Sequence, residues 1–427
     1  TRTTWSRHHT WAPAPPTTGS NHMAHSSDAP RHPRAFAGVA GRAARALTIV
    51  ASALALAVGA LAVTPAPAQA YDPPTTQEYV SYYQLDSLRA QGYTGKGVTI
   101  ALIDGPLDTN AAEIRGANVT DKSKCSIVAT PDDTWHAIDM ASVLVSPYFG
   151  VAPDATLYAY QTSSTSKRSS GTCASGGEQL DTVGRLINQA VEDGAQIISI
   201  SQGIDASDEL KWAVTNATVH GVIIVASSGN KSIDDNSNHM GQYSGVVGVS
   251  AIDTTGNFAS YSSWGNGVVT AAVGGPFNTF DPNTNAPGST HGTSTSAAMV
   301  AGMLALARQK WPEATTNQIL QLLVHTGKNP NHDWNQYTGY GPIDIHALIN
   351  TDPSQYPDEN PLLQKPGGSS PTVQEFQDYM DGIIPLDTIM NEMPKAYVYR
   401  GTDEEVLFGF TEDLHIHLGT SPAYHRK

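Results

Sequence analysis

Continuous apolar runs, rather than alternating ones, mark the predicted strands of this chain. They cover residues 98–103, 156–160, 196–201, 222–226 and 246–250. A strand that is apolar at nearly every position is typical of a parallel sheet whose two faces are both covered. The sequence therefore predicts a sheet that is mostly parallel and buried.

Helical patterns separate some of these runs and follow the last of them. Helices are predicted over 180–191, 208–219 and 294–310, and a fourth opens with a Thr315-x-x-Gln318 capping box. Alternation of strands and helices requires right-handed crossovers. We therefore predict an α/β fold of three layers, with a mostly parallel twisted sheet and helices on both faces.

The N-terminal part of the chain has the pattern of an export signal. Residues 23–70 contain arginines, then an uncharged apolar stretch, then a small-x-small cleavage site at 68–70. A retained membrane anchor is the alternative, because the apolar stretch is nearly long enough to span a bilayer. Residues 1–22 precede the first methionine and are interpreted as a mis-assigned upstream segment.

The rest of the chain divides by composition. A globular domain covers 71–350. It is followed by a linker rich in Pro, Gly, Ser and Asp at 351–372, and by a tail of uncertain structure with short alternating segments at 373–427. The alternation in the tail favours strands, which would form a small added sheet.

The charge balance narrows the choice of partners. The chain has 24 Lys and Arg residues against 39 Asp and Glu residues, and its net charge is −15. An acidic surface repels nucleic acids and anionic membranes, so neither is a predicted partner. With the signal removed, we expect a secreted, soluble protein that is a monomer.

The chain has only two cysteines, Cys125 and Cys173. In an exported protein they predict a disulfide that closes a loop of about 50 residues. Two buried free thiols are the alternative.

Four polar residues stand where strands meet loops or helices. Asp104 and Asn230 follow apolar strands, and ligand sites of open α/β sheets lie beyond the carboxyl ends of the strands. His136 stands where a helix is predicted to begin. Ser294 opens an alanine-rich helix, whose free N–H groups favour a developing negative charge. Each fits a structural role alone, as a turn residue, a helix-start histidine or an N-cap. The order Asp, His, Asn, Ser favours a shared site.

The chain resembles the subtilisin-like serine peptidases, or subtilases, over about residues 95–349. The resemblance is carried by Ile103-Asp104-Gly105, His136 with Ala141-Ser142, Ser201-Gln202-Gly203, the segment from Ala226 to Asn230, and Gly292-Thr293-Ser294. In layout it is nearest to actinobacterial mycosin-like secreted members. The chain departs from the usual family pattern at Gly105-Pro106, Ala137-Ile138 and Ala298.

The resemblance implies a secreted serine endopeptidase that acts through an acyl-enzyme. Ser294 would be the nucleophile, His136 its base, and Asp104 the group that orients the imidazole, with Asn230 in the oxyanion hole. Peptide or protein substrates would bind along Ser201, Gln202, Gly203, Ser228 and Gly229. The alternative is a catalytically impaired subtilase fold that binds peptides or proteins. An α/β-hydrolase esterase would place its serine first in chain order.

No cofactor and no metal is predicted. Residues 234–238 are rich in Asp and Asn but lack the glycine and distal glutamate of a complete calcium loop, so a polar turn is favoured and structural calcium is the alternative. The pair His415-x-His417 could bind a metal, but its alternating context favours a strand.

Overall fold

A computed structural model describes the central part of the chain. The described residues are 74–128, 130–163, 173–175, 178–204, 206–234, 240–280, 286–366 and 370–382, with the short strands at 398–399 and 416–417. The predicted signal peptide at 23–70 and the predicted upstream segment at 1–22 lie outside them. So does most of the predicted tail.

The strands and helices follow one another in the alternation that the sequence predicts. In chain order the strands are β1 (Thr99–Asp104), β2 (Asn118–Asp121), β3 (Thr156–Gln161), β4 (Ala174–Ser175), β5 (Glu178–Gln179), β6 (Ile197–Ile200), β7 (Ile223–Ser227), β8 (Val247–Ile252), β9 (Val268–Val273), β10 (Phe277–Phe280), β11 (Pro287–Thr290), β12 (Val398–Tyr399) and β13 (Ile416–His417). The α-helices are α1 (Glu78–Tyr82), α2 (Leu85–Ala90), α3 (Pro131–Val145), α4 (Val183–Glu192), α5 (Asp208–Val219), α6 (Thr293–Lys310), α7 (Thr316–His325), α8 (Ile345–Asn350) and α9 (Val373–Met380). Short 3₁₀ helices cover Ala112–Ile114, Met240–Gln242, Pro330–His332 and Pro353–Gln355.

A seven-stranded sheet with the order β2-β3-β1-β6-β7-β8-β9 is the centre of the fold. All of its neighbouring strands are parallel. Two antiparallel ribbons, β4–β5 and β10–β11, lie outside it, and β12 pairs with β13 in parallel. The predicted α/β class and the mostly parallel sheet are therefore confirmed.

The central strands of the sheet are apolar at nearly every position because both faces of the sheet are covered there. In β1, Ile100 and Leu102 belong to a core that includes residues of α3 and α6. Ala101 and Ile103 point to the opposite face, into a core shared with α4 and α5. Successive side chains of a strand point to opposite faces, so burial on both sides removes the alternation that a half-exposed strand shows.

Helix α6 is buried along most of its length against strands β6 to β9. Its alanines and other small residues allow it to lie close to the sheet, and α3 packs beside it. Its first turn contains the predicted nucleophile Ser294. The predicted start of this helix differs from the observed one by a single residue.

Two helix starts are fixed by capping boxes, in which the N-cap hydroxyl and the third helical residue exchange hydrogen bonds with each other's backbone. The predicted pair Thr315 and Gln318 opens α7 as expected. Thr130 and Asp133 form a second box, which opens α3. His136 therefore lies inside α3, in its second turn, and its prediction as a helix-start residue was wrong.

The described residues of the segment predicted as a linker, 351–366 and 370–372, lie against the domain. Leu362 is fully buried, and Lys365 is 3% exposed. The Lys365 ammonium donates a hydrogen bond of 2.8 Å to the Val246 carbonyl and another to the Gly241 carbonyl. Burial lowers the pKa of Lys365 to about 7. The composition indicated correctly that regular secondary structure is sparse here, but it carried no information about packing.

The residues after this segment continue onto the surface of α5. Helix α9 begins with a third capping box, and the Tyr379 hydroxyl donates to the Asn216 side chain at 2.8 Å. The rings of Trp212 and Tyr379 are stacked. The start of the predicted tail is thus a helix, whereas strands were expected there, and Ile416–His417 is a short strand.

The two cysteines are joined. Cys125 and Cys173 form a disulfide, with their Cα atoms 5.8 Å apart, as the sequence predicted. Over the described part of the chain, no helix combines the length and apolar character needed to cross a membrane.

Candidate active site

Asp104 is the last residue of β1 and is 2% exposed. Its Oδ1 atom accepts three hydrogen bonds, from the Gly105 N–H at 2.7 Å, from His136 Nδ1 at 2.9 Å and from Gln202 Nε2 at 2.9 Å. Its Oδ2 atom is buried and accepts no hydrogen bond from the described residues. Donors converging on Oδ1 are what a buried carboxylate needs to stay charged.

The imidazole of His136 meets this carboxylate from α3. A carboxylate can only accept hydrogen bonds, so Nδ1 carries the shared proton and Nε2 is left to act as an acceptor in the neutral ring. The side chain of His136 is 35% exposed. The ring is therefore held on one side and accessible on the other.

The surroundings of His136 favour its protonated form. Burial alone would lower the pKa of the imidazole, but the charge of Asp104 and its hydrogen bond outweigh this effect, and Asp139 and Asp133 add to it. Together they raise the pKa of His136 from 6.5 to about 9. The ring is a stronger base than an ordinary histidine.

Ser294 lies in the first turn of α6 and is partly exposed. Its carbonyl accepts a hydrogen bond of 3.3 Å from the Ser201 hydroxyl. Its own hydroxyl and the ring of His136 line the same cavity, of about 340 Å³, without being hydrogen-bonded to each other. The N–H groups of a first helical turn have no partner within the helix, so they are available to an anion.

Asn230 is held by the residue next to the predicted nucleophile. The side-chain oxygen of Asn230 accepts hydrogen bonds from the Thr293 N–H at 2.8 Å and the Thr293 hydroxyl at 2.9 Å. Because its oxygen is engaged, Asn230 presents its amide nitrogen as the free donor. This residue also lines the cavity. Thr293 was not predicted as a functional residue, although its place beside Ser294 was a usable signal.

The same cavity contains a second buried carboxylate, Asp139, one helical turn after His136. The Thr279 hydroxyl, from the β10–β11 ribbon, donates to it at 2.6 Å. Burial raises the pKa of Asp139 to about 7; the Thr279 bond and the charge of His136 oppose this shift, and Glu113 adds to it. The sequence prediction missed Asp139, although its i, i+3 spacing from His136 was visible, because nothing in the sequence indicated that the Thr279 hydroxyl would meet it in this cavity.

The residues predicted to bind substrate have different surroundings. Gly203 is exposed, with open space where a Cβ would lie. Ser201 is 8% exposed, and the Gln202 side chain turns to Asp104. Ser228 is fully buried, and its hydroxyl donates to the Ser263 carbonyl at 2.9 Å. The Ser228 hydroxyl is therefore engaged within the domain, and the predicted role of this residue in substrate binding stays a prediction.

Gly229 shapes the turn that leads to Asn230. Its φ of +98° lies in the left-handed region, which favours glycine. Its N–H donates to the Thr293 hydroxyl at 3.0 Å, and its carbonyl accepts from the Ser263 N–H. Both backbone groups are thus engaged within the domain, and the predicted substrate contact of Gly229 stays a prediction.

No metal centre is built among the described residues, where no group of three or more His, Cys, Asp or Glu side chains is placed to hold an ion. Residues 235–238 of the Asp- and Asn-rich segment, for which a polar turn was favoured over calcium, lie outside them, and so does His415.

Comparison with known proteins identifies relatives of the central domain. A sequence model of the Subtilase family matches residues 95–341. Subtilisin DY of Bacillus licheniformis is 29% identical over 277 residues, which are 62% of this chain and 95% of the relative. Subtilisin Savinase of Lederbergia lenta is 30% identical over 258 residues, which are 58% of this chain and 89% of the relative.

Solved structures share the fold. MycP1 from Mycobacterium smegmatis matches with a TM-score of 0.53 and 24% identity, over 69% of this chain and 88% of that one. The prenylagaramide maturation protease PagA matches with a TM-score of 0.51 and 24% identity, over 62% of this chain and 96% of that one. At these identities the likeness concerns the fold alone.

We predict that the pKa of His136 depends on the charge of Asp104. Asp104→Asn keeps the shape of the side chain but removes the charge, so the pKa should fall from about 9 by about 1–3 units. NMR titration of the imidazole measures it, with His136→Gln identifying the signal. Asp108→Asn, at an exposed position, is the control and should leave the titration unchanged. An equal pKa in the wild type and Asp104→Asn would contradict the electrostatic role of Asp104.

Proposed function

The chain belongs to the subtilase family of serine endopeptidases, and we propose that it cleaves peptide bonds with Ser294, His136 and Asp104. Its substrates are peptides or proteins, as the family implies. In this proposal the Ser294 Oγ attacks the scissile carbonyl while His136 Nε2 accepts the hydroxyl proton. The negative charge of Asp104 stabilises the imidazolium that forms.

The remaining steps use the same groups. The tetrahedral oxyanion would receive hydrogen bonds from Asn230 Nδ2 and from the Ser294 N–H at the start of α6. His136 would then give its proton to the leaving amine, which leaves an acyl-enzyme on Ser294. A water molecule, deprotonated by His136, would hydrolyse that ester and restore the free serine.

The hydrogen bond between His136 and Asp104 carries the proposal. It fixes the tautomer that a base next to Ser294 requires, and the ring lines the cavity that Ser294 and Asn230 also line. Bonds between a catalytic serine and histidine often tighten only when substrate binds, so their separation here does not oppose the assignment.

The segment from Ser201 to Gly203 is proposed to hold the substrate backbone. It continues β6 beyond the end of the sheet, and an extended peptide could pair with it as an added strand. The open space around Gly203 supports this role.

The unusual residues after His136 do not prevent the contact between its imidazole and Asp104. Ala137 is fully buried and Ile138 is 5% exposed, yet the imidazole stays 2.9 Å from Asp104. This geometry supports an active peptidase. No observation favours the alternative, a catalytically impaired binding module.

We also propose that the protein is exported and acts outside the cell. The arginine-rich, apolar and small-x-small pattern of 23–70 supports export, and the disulfide between Cys125 and Cys173 suits an oxidising compartment. Edman sequencing of the protein recovered from the culture medium should begin at Tyr71. An N-terminus upstream of the apolar stretch would overturn the cleaved signal.

The first activity prediction concerns the nucleophile. The wild type should be labelled by a fluorophosphonate probe and should cleave a peptide library, whereas Ser294→Ala should do neither, because the substitution removes the proposed nucleophile. Ser87→Ala, at an exposed position on α2, is the matched control. Wild-type labelling no stronger than that of Ser294→Ala would end the peptidase assignment.

A separate prediction concerns the oxyanion hole. Asn230→Ala should lower kcat about 10²–10³-fold, a magnitude taken from subtilisins themselves.

The second activity prediction concerns pH. Imidazolium cannot accept the serine proton, so kcat/KM should fall by about tenfold per pH unit once the pH drops below the pKa of His136. That pKa is raised to about 9, so activity should still be rising between pH 7 and pH 9. Rates with a peptide substrate from pH 5 to pH 10 measure this. A rate that does not change between pH 5 and pH 8 would contradict His136 as the base.

A further inference from the structure

The Gln202 side chain reaches the carboxylate of Asp104 from a neighbouring strand. Strands β1 and β6 are parallel partners, with Ile103 opposite Ile200, so the residues that follow each strand meet at the same edge of the sheet. There Gln202 Nε2 donates to Asp104 Oδ1 at 2.9 Å. Gln202 is half-buried, and its two neighbours Ser201 and Gly203 belong to the proposed substrate strand.

This bond is one of the two hydrogen bonds that Asp104 accepts from side chains of the described residues. The other comes from His136, and the third donor is the Gly105 backbone. Residue 105 cannot contribute a side chain, because a Cβ there would lie 2.6 Å from the Asp133 carbonyl of α3. Asp104 Oδ2 has no hydrogen-bond partner among the described residues. The hydrogen bonds that the carboxylate accepts from the described residues are therefore all on one oxygen, and Gln202 supplies one of the three.

We propose that Gln202 is a positioning residue, which fixes the Asp104 carboxylate and links it to the strand on which the substrate lies. This inference rests on the proposed function. Gln202 does not touch the reacting atoms. Its amide restricts rotation of the carboxylate and offsets part of its negative charge, so the pull of Asp104 on the imidazole is set partly from β6.

The position of Gln202 within the proposed substrate strand gives the contact a second consequence. A peptide that pairs with Ser201 and Gly203 would order the backbone of this segment, and with it the Gln202 amide on Asp104. Binding energy from remote parts of a substrate would then appear in kcat as well as in KM. Long peptides should lose more kcat than short ones when the Gln202 amide is removed.

The inference has an electrostatic signature. Loss of the amide N–H leaves the full charge of Asp104 to act on the imidazolium, so the pKa of His136 should rise. A carboxylate at position 202 should raise it further. The other titratable groups near His136 are Asp133 and Asp139 on α3, Asp132 at the cavity, and His291 from the segment before α6. They are the same in every variant, so differences between variants report position 202.

The experiment compares the wild type with Gln202→Met, Gln202→Glu and the control Gln91→Met, an exposed glutamine at the C-terminal end of α2. Methionine keeps the length and volume of the side chain but donates no hydrogen bond. With a long peptide, Gln202→Met should lower kcat about 10- to 100-fold, the range for losing a bond to a charged group, while KM changes little. The apparent pKa of the kcat/KM profile should rise in the order wild type, Gln202→Met, Gln202→Glu. Gln91→Met should match the wild type.

A second measurement does not need activity. In the Ser294→Ala background, NMR titration of His136 should show the same order of pKa values for the Gln202 variants. An unchanged pKa in Gln202→Met, or a loss that appears only in KM, would overturn the positioning role and leave a purely structural one. If the wild type fails to react with the fluorophosphonate probe, the proposed function fails instead, and the titration still tests the contact between Gln202 and Asp104.

Discussion

The site depends on keeping a negative charge on a carboxylate that is almost completely buried. Taking an ionised Asp out of water is costly unless hydrogen bonds replace the lost hydration. Asp104 receives three of them on Oδ1, from its own strand end, from α3 and from the segment after β6. Each comes from a different part of the chain, so the three hydrogen bonds exist together only when β1, β6 and α3 are assembled. The basicity of His136 follows from the same charge.

The parallel sheet is what brings these parts to one edge. The register pairs Ile103 with Ile200 and Ile200 with Ala226, so the residues after β1, β6 and β7 emerge side by side. Helix α6 supplies Ser294 at its start, and Thr293 joins that start to Asn230 through the hydrogen bonds that orient the amide. A hydroxyl, an amide and an imidazole therefore line one cavity, although they are widely separated in sequence.

The sequence could predict several strands that are apolar because they are buried on both faces of the sheet. The runs at β1, β6, β7 and β8 are of this kind, and Asp104 and Asn230, which follow two of them, could be singled out together with His136 and Ser294 near predicted helix starts. Strand β2 was missed because Asn118–Asp121 is a mostly exposed edge strand without an apolar run. The true start of α3 was missed because its first turn is polar and partly exposed.

The contacts of side chains across elements could not be predicted, and Gln202 shows why. Its motif indicated a backbone role in substrate binding, while its side chain has a separate role that depends on the distance between two strand ends. The unusual Gly105 belongs to the same local solution. Without a side chain there, the first turn of α3 comes against the end of β1, which brings His136, one turn later, onto Asp104. On the β6 side, Gln202 donates to the same Oδ1 atom that His136 contacts from α3. The departure at residue 105 and the glutamine at 202 are therefore best understood together, as two parts of one way of holding the same charge.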